Sequence, residues 1–95
     1  MFCPVTVQPK AYRDLQLLIR HASSPRDAVD IRQCFDALRG LLQFDPAKLG
    51  TCIRPKPNRR IYIHGPISVL HDLVNRNGRW EVDIIGVGSN INWVR

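Results

Sequence analysis

The sequence predicts an α+β fold in which an N-terminal strand and a two-helix hairpin precede an antiparallel sheet, in the order β-α-α-β-β-β. Three observations predict it. Apolar residues recur at helical spacing as far as Asp45, the pattern changes to alternation from Thr51, and Asn75-Arg-Asn-Gly78 marks a tight hairpin between two apolar runs. An antiparallel sheet laid against a helical hairpin is the simplest way to bury all these faces.

Phe2 to Gln8 is rich in β-formers and reads as a strand, with Pro4 confining it to an edge or a bulge. Pro9 suits a first helical turn, and Tyr12, Leu15, Leu18, Ile19 and Ala22 follow at helical spacing. Arg20 and His21 place cations at the helix end, where they complement its dipole. A second helix begins with Ser24 as N-cap, Pro25 at the first position and Asp27 in the first turn. Ile31, Cys34, Phe35, Leu38, Leu41 and Leu42 form its apolar stripe, with Arg32, Asp36 and Arg39 opposite. Asp45-Pro46 ends it, because a residue before proline avoids the helical region. The short Ala-Ser-Ser connection makes the two helices an antiparallel pair.

In the second half, Arg60 to His64 alternates, placing Ile61 and Ile63 on one face and Arg60, Tyr62 and His64 on the other. Gly65-Pro66 turns the chain. Ile67 to Val74 is almost wholly apolar and reads as a central strand covered on both sides. Trp80 to Val87 completes the hairpin, with Trp80, Val82 and Ile84 facing one way. Gly86-Val-Gly-Ser89 follows a strand with no helix behind it, so its glycines read as strand distortion and not as a dinucleotide fingerprint.

Ninety-five residues accommodate one domain over 1–95, and an apolar fraction of 44% argues against a disordered chain. No apolar run approaches the ~20 residues that cross a bilayer, and the first residues lack the basic and apolar regions of a signal peptide. A cytoplasmic protein with no membrane partner is the expectation. Charge is the most informative feature. Fourteen basic residues, eleven of them Arg, stand against eight acids, for a net charge of +6. A partner rich in phosphate or carboxylate is favoured over a neutral one. Cys3, Cys34 and Cys52 are an odd set without a CxxC pair, so they do not form a disulfide framework. Cys34 reads as a small buried thiol on the apolar face of its helix.

Arg54-Pro-Lys-Pro-Asn-Arg-Arg60 holds four cations in seven residues without an acid, and its prolines hold it extended. As a loop beside a sheet it reads as an anion-binding segment, with a solvated connection as the bland alternative. Tyr62 and His64 project from the same strand face as Arg60, where they could stack on a nucleotide or transfer protons. A solvent-facing His64 at a strand end is the competing reading. His71 lies among apolar neighbours and is expected to be structural, hydrogen-bonded to a backbone group or a polar side chain. No ligand spacing for a metal is present, no GxSxG elbow marks a nucleophile, and no cofactor is implied.

Two stretches carry a family resemblance: Arg59-Arg-Ile-Tyr-Ile-His-Gly-Pro-Ile-Ser-Val-Leu-His71, a basic strand leading into a second strand, and Val82-Asp-Ile-Ile-Gly-Val-Gly88, a final strand. With the element order and the small basic chain, they make the sequence resemble toxins of the RelE/ParE superfamily from bacterial type II toxin–antitoxin modules. The resemblance implies a RelE/ParE-like domain, a cognate antitoxin partner, and inhibition of translation by metal-independent, ribosome-dependent mRNA cleavage. As an endoribonuclease of this kind, the chain would use Arg60, Tyr62 and His64 as catalytic residues. Arg54, Lys56, Arg59, Arg60 and Arg95 would bind RNA. Relatives that cut RNA typically carry an Arg and then a Tyr after the final strand, where this chain reads Ser89-Asn-Ile-Asn-Trp-Val-Arg95. That departure keeps two alternatives open: a non-enzymatic ParE-like inhibitor of DNA gyrase, and a non-toxic basic module that binds nucleic acid.

Overall fold

The computed structural model describes residues 3–44, 46, 48–53 and 56–89, without the side chains at 56 and 57. Its elements are β1 (Val5–Val7), α1 (Pro9–Arg20), α2 (Pro25–Phe44), β2 (Thr51–Ile53), β3 (Lys56–His64), β4 (Ile67–Arg76) and β5 (Arg79–Ser89). The five strands form one sheet in the order β1-β5-β4-β3-β2. Alternation and helical spacing therefore predicted the α+β class and both helices correctly, and β4 is the central strand.

Three features differ from the sequence expectation. The first strand is only Val5–Val7, because Pro4 lacks an N–H and Pro9 opens α1 directly behind it. It pairs in parallel with β5, so the sheet is mixed and not purely antiparallel. The basic segment is not a free loop from residue 56 onward: it is the first half of β3, paired with the additional short strand β2. A three-residue strand has no periodicity to detect, and its pairing is a non-local event.

Local chemistry explains the helix and hairpin ends. The Ser24 hydroxyl accepts the Asp27 N–H at 3.1 Å, satisfying one of the orphan donors of α2. Replacing Ser24 by Ala is expected to cost about 1 kcal/mol. That corresponds to a Tm lower by roughly 4–8 °C for a domain of this size, measurable by calorimetry. At the β4–β5 turn, Asn77 and Gly78 both have positive φ, as a two-residue hairpin of primed type requires, and Asn75 Oδ1 accepts the Gly78 N–H at 2.9 Å. A bulge opposite Leu70 and His71 leaves Ile85 without a direct partner in β4.

The core lies between the helices and one sheet face. Ala11, Leu15, Phe35, Leu38 and Leu42 meet Ile67, Val69, Val82, Ile84 and Val87 there. Tyr12 and Leu41, assigned to the apolar stripes from spacing, are 47% and 43% exposed. Ala11 occupies the position one turn before Leu15 instead. Trp80 shares the face of Val82 but remains exposed at the hairpin end. Beyond the end of β1, Asp14 on α1 accepts the Val87 N–H at 3.3 Å, so a helix side chain replaces the missing strand partner. No described helix is long and apolar enough to cross a membrane.

Candidate functional site

The period of two in β3 separates the basic residues that the sequence grouped. Register places Arg59 beside Asp72, and Arg60 beside His71, so neighbouring arginines point to opposite sides of the sheet. Arg59, Ile61 and Ile63 lie on the face away from the helices. Arg60, Tyr62 and His64 lie on the helix side, in one row with Val69 and Ile67.

On the face away from the helices, Arg59 makes a bidentate pair with Asp72, Nε to Oδ1 at 2.7 Å and Nη2 to Oδ2 at 2.9 Å. The hydrogen bond to Asp72 is the main reason the Arg59 guanidinium is held in its charged form, with a raised pKa. Asp72 stands directly opposite Asp83 in the β4–β5 ladder. Arg76 completes the series, donating to Asp83 Oδ2 at 2.8 Å and to Glu81 Oε1 at 2.9 Å. Two cations thus meet three carboxylates across β3, β4 and β5. With Arg79 opposite Arg76 on the same face, the described side chains here balance three arginines against three carboxylates, and both Arg59 and Arg76 are already committed to acids.

Arg60 is committed differently. Its Nε donates to the Leu49 carbonyl at 2.7 Å, Nη2 to the Gly50 carbonyl at 2.6 Å, and Nη1 to Cys52 Sγ at 2.8 Å. The guanidinium fastens the segment between α2 and β3 to the sheet. Gly50 sits at φ +77°, and a Cβ there would meet the Ile61 carbonyl, so the clamp closes onto a backbone approach that only glycine permits.

Tyr62 packs against the core, and its ring lies 5.9 Å from that of His64, tilted by 30°. His64 continues to the edge of a cleft of about 460 Å³ beside α2, shared with Asp30, Gln33, Cys34, Ala37 and Pro66. The structure therefore brings Tyr62 and His64 together but does not bring Arg59 and Arg60 to one surface. Arg54 and Arg95 lie outside the described residues, as does the Lys56 side chain. Cys34 is half-buried at the cleft and not sealed in the core.

His71 departs from expectation. It is fully buried, and among the described residues neither ring nitrogen makes a hydrogen bond of good geometry, although the Pro46 carbonyl is near. Burial pushes its pKa down to about 4, and the nearby Arg60 charge adds to that fall. The Pro46 carbonyl and Asp72 oppose it only in part. Among the described residues, no three His, Cys, Asp or Glu side chains are arranged to hold a metal ion. The carboxylate partners were the part of this surface that the sequence reading missed. The available signal was Asp72 itself, an acid in the middle of a largely apolar strand.

No family model matches the sequence, and no curated protein sequence matches it. Solved structures do match. A chain from the crystal structure of the toxin–antitoxin complex RelBE2 of Mycobacterium tuberculosis superposes with a TM-score of 0.71 at 20% identity, over 95% of this chain and 100% of that one. A chain of the chromosomal ParDE toxin–antitoxin system of P. aeruginosa superposes with a TM-score of 0.72 at 17% identity, over 93% of this chain and 96% of that one. At such identities the likeness is one of architecture: the strand, the helical pair and the five-stranded mixed sheet together have the RelE/ParE toxin fold.

Proposed function

We propose that this chain is the toxin of a type II toxin–antitoxin pair and that it inhibits growth by binding a protein target, without cutting RNA. The match to chains of two toxin–antitoxin systems over nearly the whole length supports the first part. The compensated sheet face carries the second. A scissile phosphate approaching Arg59 would meet Asp72 at 2.7 Å from that guanidinium and Asp83 directly across the ladder. Stabilising charge that develops on phosphate needs donors aimed at the ligand, and here they are aimed at carboxylates. DNA gyrase is the target that the family resemblance supplies for a non-enzymatic toxin. A toxin of this kind works in the cytoplasm beside its antitoxin, whose acidic, partly disordered segment would cover apolar surface and neutralise cations.

Ribosome-dependent mRNA cleavage is the second reading, and it rests on Tyr62, His64 and the basic residues at 54, 56 and 95. Induced expression with mapping of RNA ends separates the two. The expected result is growth arrest with intact mRNA and gyrase-trapped DNA breaks, relieved by co-expression of the antitoxin. Codon-dependent mRNA cuts would overturn the binding mechanism. Arg59→Gln is an additional check: growth inhibition should survive within about twofold, whereas a phosphate-binding Arg59 would lose it by orders of magnitude.

A further inference from the structure

The positive charge of the chain is not spread evenly over the folded molecule. On the sheet face away from the helices, the described arginines and carboxylates balance. α2 balances too, since Arg26, Arg32 and Arg39 share it with Asp27, Asp30 and Asp36. Arg60 is turned onto the carbonyls of Leu49 and Gly50. α1 is different. It carries Lys10, Arg13 and Arg20 against Asp14 alone, and that acid is already taken by Lys10 at 2.9 Å and by the Val87 N–H. Arg13 and Arg20 are exposed, and neither guanidinium makes an ion pair or a hydrogen bond among the described residues.

Helix geometry gathers these two cations around an apolar residue. Arg13, Leu17 and Arg20 stand at i, i+4 and i+7 and share one face, with the two arginines about 10 Å apart along the helix axis. Leu17 is 49% exposed between them, while Ala11 and Leu15 fill the core face of the same helix. Together with Gln16, the three side chains line a cleft of about 220 Å³ on α1.

We infer that this face of α1 docks an acidic polypeptide segment, which sets carboxylates on Arg13 and Arg20 and an apolar side chain on Leu17. Charge complementarity selects an anionic partner. Leu17 selects among anions: a phosphate backbone answers the two arginines alone, whereas an acidic segment carrying an apolar residue answers all three side chains at once. Identifying the occupant with the antitoxin's acidic segment rests on the toxin–antitoxin reading, but the docking face itself does not.

Titrating the folded, isotope-labelled chain with a random glutamate–leucine copolypeptide, with polyglutamate and with oligo-dT, and mapping amide shifts by NMR at low salt, tests the assignment. The amides of Arg13, Leu17 and Arg20 are expected to move first with the copolypeptide. The double variant Arg13→Glu/Arg20→Glu should bind it about tenfold more weakly, because two exposed ion pairs together are worth about that much. Leu17→Ser should lose a roughly fivefold preference for the copolypeptide over polyglutamate, which the covered leucine surface supplies. Arg59→Gln, on the balanced sheet face, should bind as the parent does. All three α1 positions are exposed, and unmoved core amides report an intact fold; should the double reversal disturb them, Arg13→Gln/Arg20→Gln replaces it. Growth arrest and its relief by an antitoxin play no part in the measurement, so the docking face and the toxin reading fail separately. Largest shifts away from α1, an affinity indifferent to loss of both arginines, or tighter binding of oligo-dT than of the copolypeptide at α1 would overturn the assignment.

Discussion

Acidification from pH 6.5 to pH 4 is expected to remove about 3 kcal/mol of stability through His71 alone. The sign follows from linkage. The imidazole titrates near 6.5 in the unfolded chain but only near 4 in the folded one. Above pH 6.5 both states are neutral and the full stability is present. Between 6.5 and 4 the unfolded state takes up the proton while the folded state refuses it, so folding weakens by roughly 1.4 kcal/mol per pH unit. Below 4 the loss levels off. Arg60 from β3 strengthens the refusal, whereas Asp72 on the same strand and the Pro46 carbonyl weaken it. Urea unfolding at a series of pH values measures the effect. His71→Leu should flatten the curve between pH 6.5 and 5 and leave stability at pH 7 equal or higher, because it removes two buried nitrogens that make no hydrogen bond of good geometry among the described residues. An unchanged pH dependence in that variant would show that carboxylates, and not His71, control acid unfolding.

Arg60→Gln is expected to destabilise the fold by about 3 kcal/mol, and not merely to weaken a binding surface. The side chain spans from β3 to two carbonyls and a sulfur in the segment preceding it. Glutamine offers one amide where the guanidinium offers three aimed donors, so carbonyl groups of Leu49 and Gly50 lose charged partners. Arg60→Lys should be nearly as costly, because a single ammonium cannot reproduce the planar fork. Arg59→Gln is the contrast. Its partly exposed pair with Asp72 is worth no more than about 1 kcal/mol, so its urea midpoint should move far less. Equal midpoints for the Arg59 and Arg60 variants would contradict the clamp.

Placing Arg60 in the clamp also changes how a loss-of-toxicity experiment is read. A variant at Arg60 that fails to inhibit growth reports on folding unless its stability has been measured. Arg59 is the cleaner probe of the sheet surface, since its removal leaves the segment from Leu49 to Cys52 held in place.

What the sequence determined by itself was local. The Ser24 cap, the stripe through Phe35, Leu38 and Leu42, the Asn77-Gly78 turn, and the alternation that parts Arg60, Tyr62 and His64 from Ile61 and Ile63 all arise within a few residues. Helical pitch, strand pleat and turn geometry act at that range. Tertiary structure decided which side of the sheet the helices cover, that β1 lies parallel to β5, and where each guanidinium ends. Arg59 meets an acid 13 residues away, Arg60 meets carbonyls 10 and 11 residues back, and Asp14 serves an N–H 73 residues on. A run of cations read along the chain has one sign. Folded, its last two members, Arg59 and Arg60, are divided by the pleat between two faces, and register supplies each with its own partner.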